Sequence, residues 1–353
     1  MPSAFAARML LVVCMTTVQL VATPVFQVTD MGAINGSVTG INSNGQVSGW
    51  SVDPSGVAFA LVGSGSWSVL GDYAQAFGLN DNGQVAGVMF DGATLWSGGT
   101  ATSLAGPGSY ARAINNSGQV TGSVSGQAVR FQGGGTTVLG APGMWSAGYA
   151  INNAGMIAGT AQITPGSFAA FLWSPGGGSL ILPTLGGASS YSHAINDWGV
   201  VAGNSTTAGG YLRGFVYRDG VMTDLGTLGG AHSGAYGINS DGEIVGYSLT
   251  GSGDSAAFLW AGGILLDLNE TIDPALGWLL EEAMAINELG QIAGTGIYQG
   301  ARHGFLLTPS DSSGTHRASP FVLSPVPEPS SGVLLLAGLA ILVIVRSALQ
   351  ADG

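Results

Sequence analysis

Between residues 26 and 307 short apolar runs alternate with Gly, Asn and Ser, and one pattern of hydrophobic and polar positions returns seven times. The copies are GINSNGQVSG (40–49), GLNDNGQVAG (78–87), AINNSGQVTG (113–122), AINNAGMIAG (150–159), AINDWGVVAG (194–203), GINSDGEIVG (237–246) and AINELGQIAG (285–294). Their asparagines, Asn42, Asn80, Asn115, Asn152, Asn196, Asn239 and Asn287, recur on average about every 41 residues, a period in the range of propeller blades. Within each copy N-x-x-G separates two apolar runs. That arrangement predicts a hairpin turn in which the Asn side chain bonds to the backbone and the Gly takes a positive φ. In the strand that follows, Val47, Val85, Val120, Ile157, Val201, Ile244 and Ile292 occupy one face, which is assigned to the core. The Gly two residues later, Gly49 in the first copy and Gly294 in the last, is expected to leave room for close packing of neighbouring sheets.

A second apolar cluster follows each motif: Phe59, then TLW (94–96), VRF (129–131), FLW (171–173), FVY (215–217), FLW (258–260) and FLL (305–307). Several units add a third, such as TDLGTLGG (223–230) and LLDLN (265–269). Short β-branched and aromatic runs punctuated by turn residues read as strands. No sustained helical period occurs, apart from a possible turn of helix near Pro274 to Met284. A full unit reads TDLG, A-x-x-IN, GQVxG, AFLW. The last unit ends at FLLTP without a TDLG, while FQVTDMG (26–32) stands unpaired at the start of the repeat region. Pairing these ends would remove two exposed sheet edges at once. The predicted fold is therefore all-β: a seven-bladed β-propeller of seven repeats, its N-terminal strand closing the last blade, followed by a C-terminal hydrophobic helix.

The chain's ends differ in pattern from the repeats. Arg8 followed by an apolar stretch from Met9 to Ala22 reads as a secretory signal peptide over residues 1–22. The repeat domain then occupies 23–308, a Pro- and Ser-rich linker 309–325, a sorting segment 326–347 and a short tail 348–353. The uncharged run from Gly332 to Val345 would span about 21 Å as a helix, short of the roughly 30 Å hydrocarbon core, which suits a transient hold better than a lasting anchor. The segment VPEPSSGVLLLAGLAILVIVR, with Pro327, Glu328, Pro329, the apolar run and Arg346, resembles the PEP-CTERM sorting signal of Gram-negative bacteria, also known as the ice-binding protein C-terminal domain. That resemblance implies transient anchoring in the inner membrane, an exosortase-type membrane peptidase as partner, and delivery to the cell surface or medium. The repeats, best in LGTLGGAHSGAYGINSDGEIVGYS (225–248) and LNETIDPALGWLLEEAMAINELGQIAGTG (268–296), resemble the HAF repeat family of extracellular bacterial proteins. This implies a secreted or surface propeller-like module. Repeats 1 to 3 are shorter and lack a full LGTLGG.

Composition narrows the chemistry. Of 353 residues 61 are Gly and only 8% are charged, with eight Arg, no Lys and a formal charge of −12. Phosphate neutralisation needs clustered basic residues, so nucleic acid is excluded as a partner. Cys14 lies within the signal peptide, and the mature chain therefore has neither disulfides nor a thiol nucleophile. NDNG (80–83) and NSDGE (239–243) resemble pieces of calcium loops, but the equivalent turns NNSG, NNAG, NDWG and NELG keep Asn and Gly while the carboxylate comes and goes, as a structural turn requires. His193, His232, His303 and His316 stand at no ligand spacing, and GDSAAF (253–258) lacks the strand–turn–helix setting of a nucleophilic serine. No catalytic, cofactor or metal constellation emerges. The expected function is non-catalytic binding of extracellular polysaccharide or matrix protein, with Trp50, Trp67, Tyr110, Trp145, Tyr191, Trp198 and Trp278 available either for sugar stacking or to fill gaps between blades. The alternative is a glycan hydrolase or lyase using Asp267, Glu270, Asp273, Glu281 and Glu282, a cluster that a solvated loop face would also explain.

Overall fold

The computed structural model describes residues 26–141 and 143–310. The expected signal peptide, the residues Pro327, Glu328, Pro329 and Arg346 expected to direct sorting, and the expected C-terminal helix lie outside the described residues. Among the described residues no helix is long and apolar enough to cross a membrane. Seven four-stranded antiparallel sheets form a seven-bladed β-propeller. Six blades are continuous in sequence, blade 1 running from Gly36 to Asp72 and blade 6 from Gly229 to Asp267. Each motif joins the innermost strand to the second, the FLW-type cluster forms the third, and TDLG forms the outermost, so a blade begins one strand later than the unit read from the sequence. Inner strands of successive blades neighbour one another around the axis.

Blade 7 takes its three inner strands, Trp278–Ile286, Ile292–Tyr298 and Ala301–Pro309, from the end of the described chain and its outer strand, Phe26–Ala33, from the start. The register copies that of the other blades. Asp30 opposes Phe305 as Asp72 opposes Phe59, Asp224 opposes Phe215 and Asp267 opposes Phe258. The missing TDLG strand is thus supplied by TDMG in the equivalent position.

All seven Val and Ile residues that follow the motif's turn are buried to 1% exposure or less, as the alternation predicts. The aromatics of the third strands, Phe171, Phe215, Phe258 and Phe305, are fully buried beside them. The role assigned to Gly49 and its equivalents needs correction. A Cβ on Gly203, Gly246 or Gly294 would strike the carbonyl of Tyr191, Gly234 or Glu282, which lies on the inner strand of the same blade, not on a neighbouring sheet. In each blade the inner strand carries a β-bulge at this point, two of its residues spanning the space opposite one. Close approach between blades falls instead to small residues two positions before the Asn: an added Cβ would lie 2.7 Å from Ala113 Cα at Gly78 and 3.0 Å from Ala285 Cα at Gly237. The expected turn of helix near Pro274 to Met284 is confined to a 3-10 turn at Pro274–Leu276, and residues 278–286 form the inner strand of blade 7. Although Leu, Glu, Ala and Met favour helix, pairing with the adjacent strand overrides that weak preference.

Candidate functional site

Along the axis the inner strands present two rings of side chains. At the end where each inner strand turns into the second, the seven motif asparagines are 2–5% exposed. Each motif Gly bonds back to its Asn carbonyl and holds φ between +71° and +81°, the left-handed conformation expected. In each copy the Asn Oδ1 also accepts the amide four residues on, so the turn reading is correct. What the turn reading missed is that every Asn Nδ2 donates to the carbonyl of the Asn in the next blade: Asn42 to Asn80, Asn80 to Asn115, and onward to Asn287, which returns to Asn42 at 2.9 Å. The asparagines therefore close a circular hydrogen-bonded belt. In five blades the second Nδ2 proton goes to the side chain four residues on, as from Asn115 to Gln119; Met156 and Val200 offer no such acceptor to Asn152 and Asn196.

Above this belt opens an axial well of about 280 Å³, walled by the residues on either side of each Asn. The carboxylates on its rim are tied to backbone. Asp81 accepts the Ser43 amide, Asp197 the Asn153 amide and Glu288 the Ser240 amide. Among the described residues no group of three or more His, Cys, Asp or Glu is placed to hold a metal ion.

The second ring comes from the bulges. The extra residue in each inner strand lies three positions before the Asn: Thr39, Phe77, Arg112, Tyr149, His193, Tyr236 and Met284. Their contacts run from strand to strand around the axis. Thr39 Oγ1 donates to the Ala76 carbonyl; the Arg112 guanidinium lies 4.5 Å from the Phe77 ring centre and 5.7 Å from that of Tyr149. His193 meets Tyr149 and Tyr236 edge-on at 6.3 and 5.3 Å, and Tyr236 stacks on Tyr247 at 5.8 Å. Burial drives the His193 pKa down to about 4, so the imidazole is neutral near pH 7. Burial likewise raises the Tyr149 and Tyr236 phenols, Tyr236 further through Tyr247 and Glu282, and keeps both uncharged. No period in the sequence announces this ring, because only Tyr occurs in more than one copy, at Tyr149 and Tyr236. The available signal is the small residue on each side of the position in six of the seven copies, Val38 standing before Thr39 in the first.

The other sequence candidates separate. Asp267 accepts the amides of its own 3-10 turn through Asn269, Asp273 accepts Ala275 N, and Glu281 and Glu282 flank Arg302 at 3.9 and 3.2 Å. Ser255 Oγ donates to the Glu281 carbonyl. Of the aromatics, Tyr110 and Trp198 are exposed, and the Trp198 indole donates to Ser240 O across a blade boundary. Trp67 packs into the core between blades 7 and 1, Trp278 stacks on Tyr298 at 4.7 Å, and Tyr191 lies 5.4 Å from Phe168. Trp50 and Trp145 are half-buried. One pair that spacing could not show joins His303 Nδ1 to Asp30 Oδ1 at 2.8 Å, across the closing strands of blade 7. His232 Nδ1 accepts the Leu212 amide, and His316 lies outside the described residues.

The chain matches no protein-family profile and no curated protein. Among solved structures it is similar to a puromycin-hydrolyzing peptidase of Mycobacterium tuberculosis, with 12% identity and a TM-score of 0.52 over 82% of this chain and 52% of that one. It is also similar to TolB from Acinetobacter baumannii (11% identity, TM-score 0.44, 78% of this chain and 64% of that one) and to a gluconolactonase from Xanthomonas campestris (12%, 0.41, 80% and 89%). The chain thus spans about two-thirds of the TolB structure and half of the peptidase. At such identities the likeness is one of fold, and the chain takes its place among β-propellers.

Proposed function

We propose that the protein is a secreted or surface-delivered, non-catalytic propeller that binds extracellular polysaccharide or matrix partners, and that an exosortase-type peptidase sorts it through Pro327, Glu328, Pro329 and the apolar run ending before Arg346. The observation that supports the binding reading is the distribution of aromatic side chains. Tyr73, Phe90, Tyr110 and Tyr211 are exposed, and all four lie at the starts of inner strands or at turns between second and third strands, which share the propeller face opposite the Asn turns. The half-buried pairs Phe168–Tyr191 and Trp278–Tyr298, and half-buried His232 against Tyr211, lie toward the same face. Of the exposed aromatics only Trp198 lies on the Asn-turn face, and rings gathered on the other face, in a protein with few surface charges, suit stacking on pyranose rings. Phe90 is 80% exposed, an arrangement that packing does not require.

Glycan-array and pull-down assays with the purified protein test this reading. Retention on at least one polysaccharide, reduced by Phe90→Ser together with Tyr211→Ser, is the expected result. Absence of retention on every polysaccharide and matrix protein would overturn it. For sorting, mass spectrometry of the native surface form is expected to find both ends removed, and Glu328→Ala is expected to leave an uncut, membrane-bound precursor. An intact C-terminus through Gly353 in the surface form refutes that part.

A further inference from the structure

We propose that the bulge ring on the propeller axis is a binding site for one acidic sugar unit, with Arg112 as the anchor for its carboxylate and the Tyr149, His193 and Tyr236 rings as the adjoining wall. This rests on the polysaccharide-binding reading and names the ligand class.

The inference starts from a charge without a counter-charge. Arg112 is half-buried, and arginines drawn out of water are ordinarily paired, because removing a guanidinium from water costs more than packing returns. Among the described residues no carboxylate lies within 4.0 Å of Arg112, whereas Arg302 has both Glu281 and Glu282. The Arg112 Nε is buried and has no hydrogen-bond partner. The Nε atoms of Arg130 and Arg213 are also buried and unpartnered, but those residues lie on third strands, each with one aromatic ring near the guanidinium. Arg112 alone is set at a bulge, on an inner strand, among three rings, those of Phe77, Tyr110 and Tyr149.

The rest of the ring is uncharged. Thr39, Phe77, Tyr149, Tyr236 and Met284 are neutral, and burial keeps His193 neutral down to about pH 4. One cation therefore stands in an aromatic enclosure, and its planar fork matches a carboxylate with two parallel N–H···O bonds. The aromatic wall favours a pyranose beside that carboxylate. The approach is from the face bearing Tyr110, two residues before Arg112 and exposed. The formal charge of −12 disfavours a polyanion laid along the surface. A single carboxylate at the axis meets Arg112 as the one cation of the ring; Glu282, whose charge bears on Tyr236, is itself held by Arg302 at 3.2 Å, and exposed charges more than about 8 Å away are screened at physiological salt. The site thus takes a uronic-acid unit presented end-on.

The test is calorimetric titration of the purified full-length protein with sodium glucuronate, glucose and inorganic sulfate, alongside NMR of the His193 and tyrosine ring signals. Glucuronate is expected to bind at least roughly tenfold more tightly than glucose or sulfate and to shift the His193 and Tyr149 signals. Arg112→Gln is expected to lose at least that tenfold while its melting temperature holds, and Arg112→Lys to keep part of it. If Arg112→Gln fails to fold, Tyr149→Leu is the second variant, with a weakening of several-fold expected. Equal affinity for glucuronate and glucose, or an unchanged affinity in these variants, overturns the proposal, and sulfate binding as tightly as glucuronate reduces the site to a plain anion site and overturns it too. Retention of neutral glycans without any glucuronate effect defeats this inference alone. Glucuronate binding at Arg112 without retention of any polymer sustains the site and defeats the broader reading.

Discussion

Three residues apart on the same seven strands, the propeller follows two opposite rules. At the Asn position one residue type is repeated seven times, each copy bonded to the next until the circle closes at Asn42. At the bulge position no type dominates, and Thr, Phe, Arg, Tyr, His, Tyr and Met share one geometric role. The Asn belt is what each blade needs from its neighbour, so any blade lacking it would break the circle. The bulge ring depends on the backbone for its position and tolerates whatever side chain fits the axis. Repetition in this chain marks the framework, and variation within the repeat marks the places free to acquire a specific task.

The largest test of that contrast goes through the backbone that creates the bulge. Gly246→Val places a side chain where the Gly234 carbonyl lies, and a loss of more than about 4 kcal/mol, or no soluble product, is expected in denaturant unfolding. A stability within about 1 kcal/mol of the parent would show that the bulge yields easily. Next, Asn115→Ala removes bonds to Asn152 O, Gln119 Oε1 and the amides of Ser117 and Gln119, leaving buried backbone groups unpaired. A cost of about 2–4 kcal/mol is expected, against about 1 kcal/mol for Phe77→Leu in the bulge ring, and equal costs would erase the distinction.

The ring should also respond to acid. His193 titrates near pH 4 in the fold and near 6.5 in the unfolded chain, so between those values the unfolded chain binds the extra proton. Stability therefore falls as pH drops from about 6.5 to 4, by about 3 kcal/mol at most from this residue. His193→Gln should lose less stability than the parent between pH 7 and 4.5 in thermal melts, and parallel losses would count against a buried neutral imidazole. The smallest effect expected is a gain. Met156→Gln would offer Asn152 the acceptor that Gln119 offers Asn115, adding about 0.5–1 kcal/mol, and any destabilisation would show that the belt is already complete without it.

Much of this architecture is legible in sequence because its determinants are local and repeated. The N-x-x-G turn and the buried Val or Ile after it are each stated by residues within ten positions of one another, and the strand missing from the last unit shows when that unit is compared with the other copies. The belt was half visible: the turn could be read from one copy, but the bond from Asn Nδ2 to the next blade depends on how inner strands converge, which the small residues at Gly78 and Gly237 permit without announcing. Gly49 and its equivalents were assigned to the wrong neighbour because a glycine reports only that space is needed, not whose atoms need it. Nothing local pairs Asp30 with His303, which are 273 residues apart, and helix-forming residues at 279–284 misled because blade pairing outweighs intrinsic preference.

The strand Phe26–Ala33 gives the molecule an order in time. It is the first part of the propeller to be synthesised, and its only sheet partner, Ala301–Pro309, is the last. For nearly the whole of synthesis this segment is an unpaired edge, and blades 1 to 6 can assemble side by side while the circle stays open. One late event then joins residue 26 to residue 309 and seats the Asn287 amide on Asn42 together. Completion of the chain and locking of the fold become the same step, so a truncated product missing only its last strand would forfeit the closure of the whole ring rather than one-seventh of it.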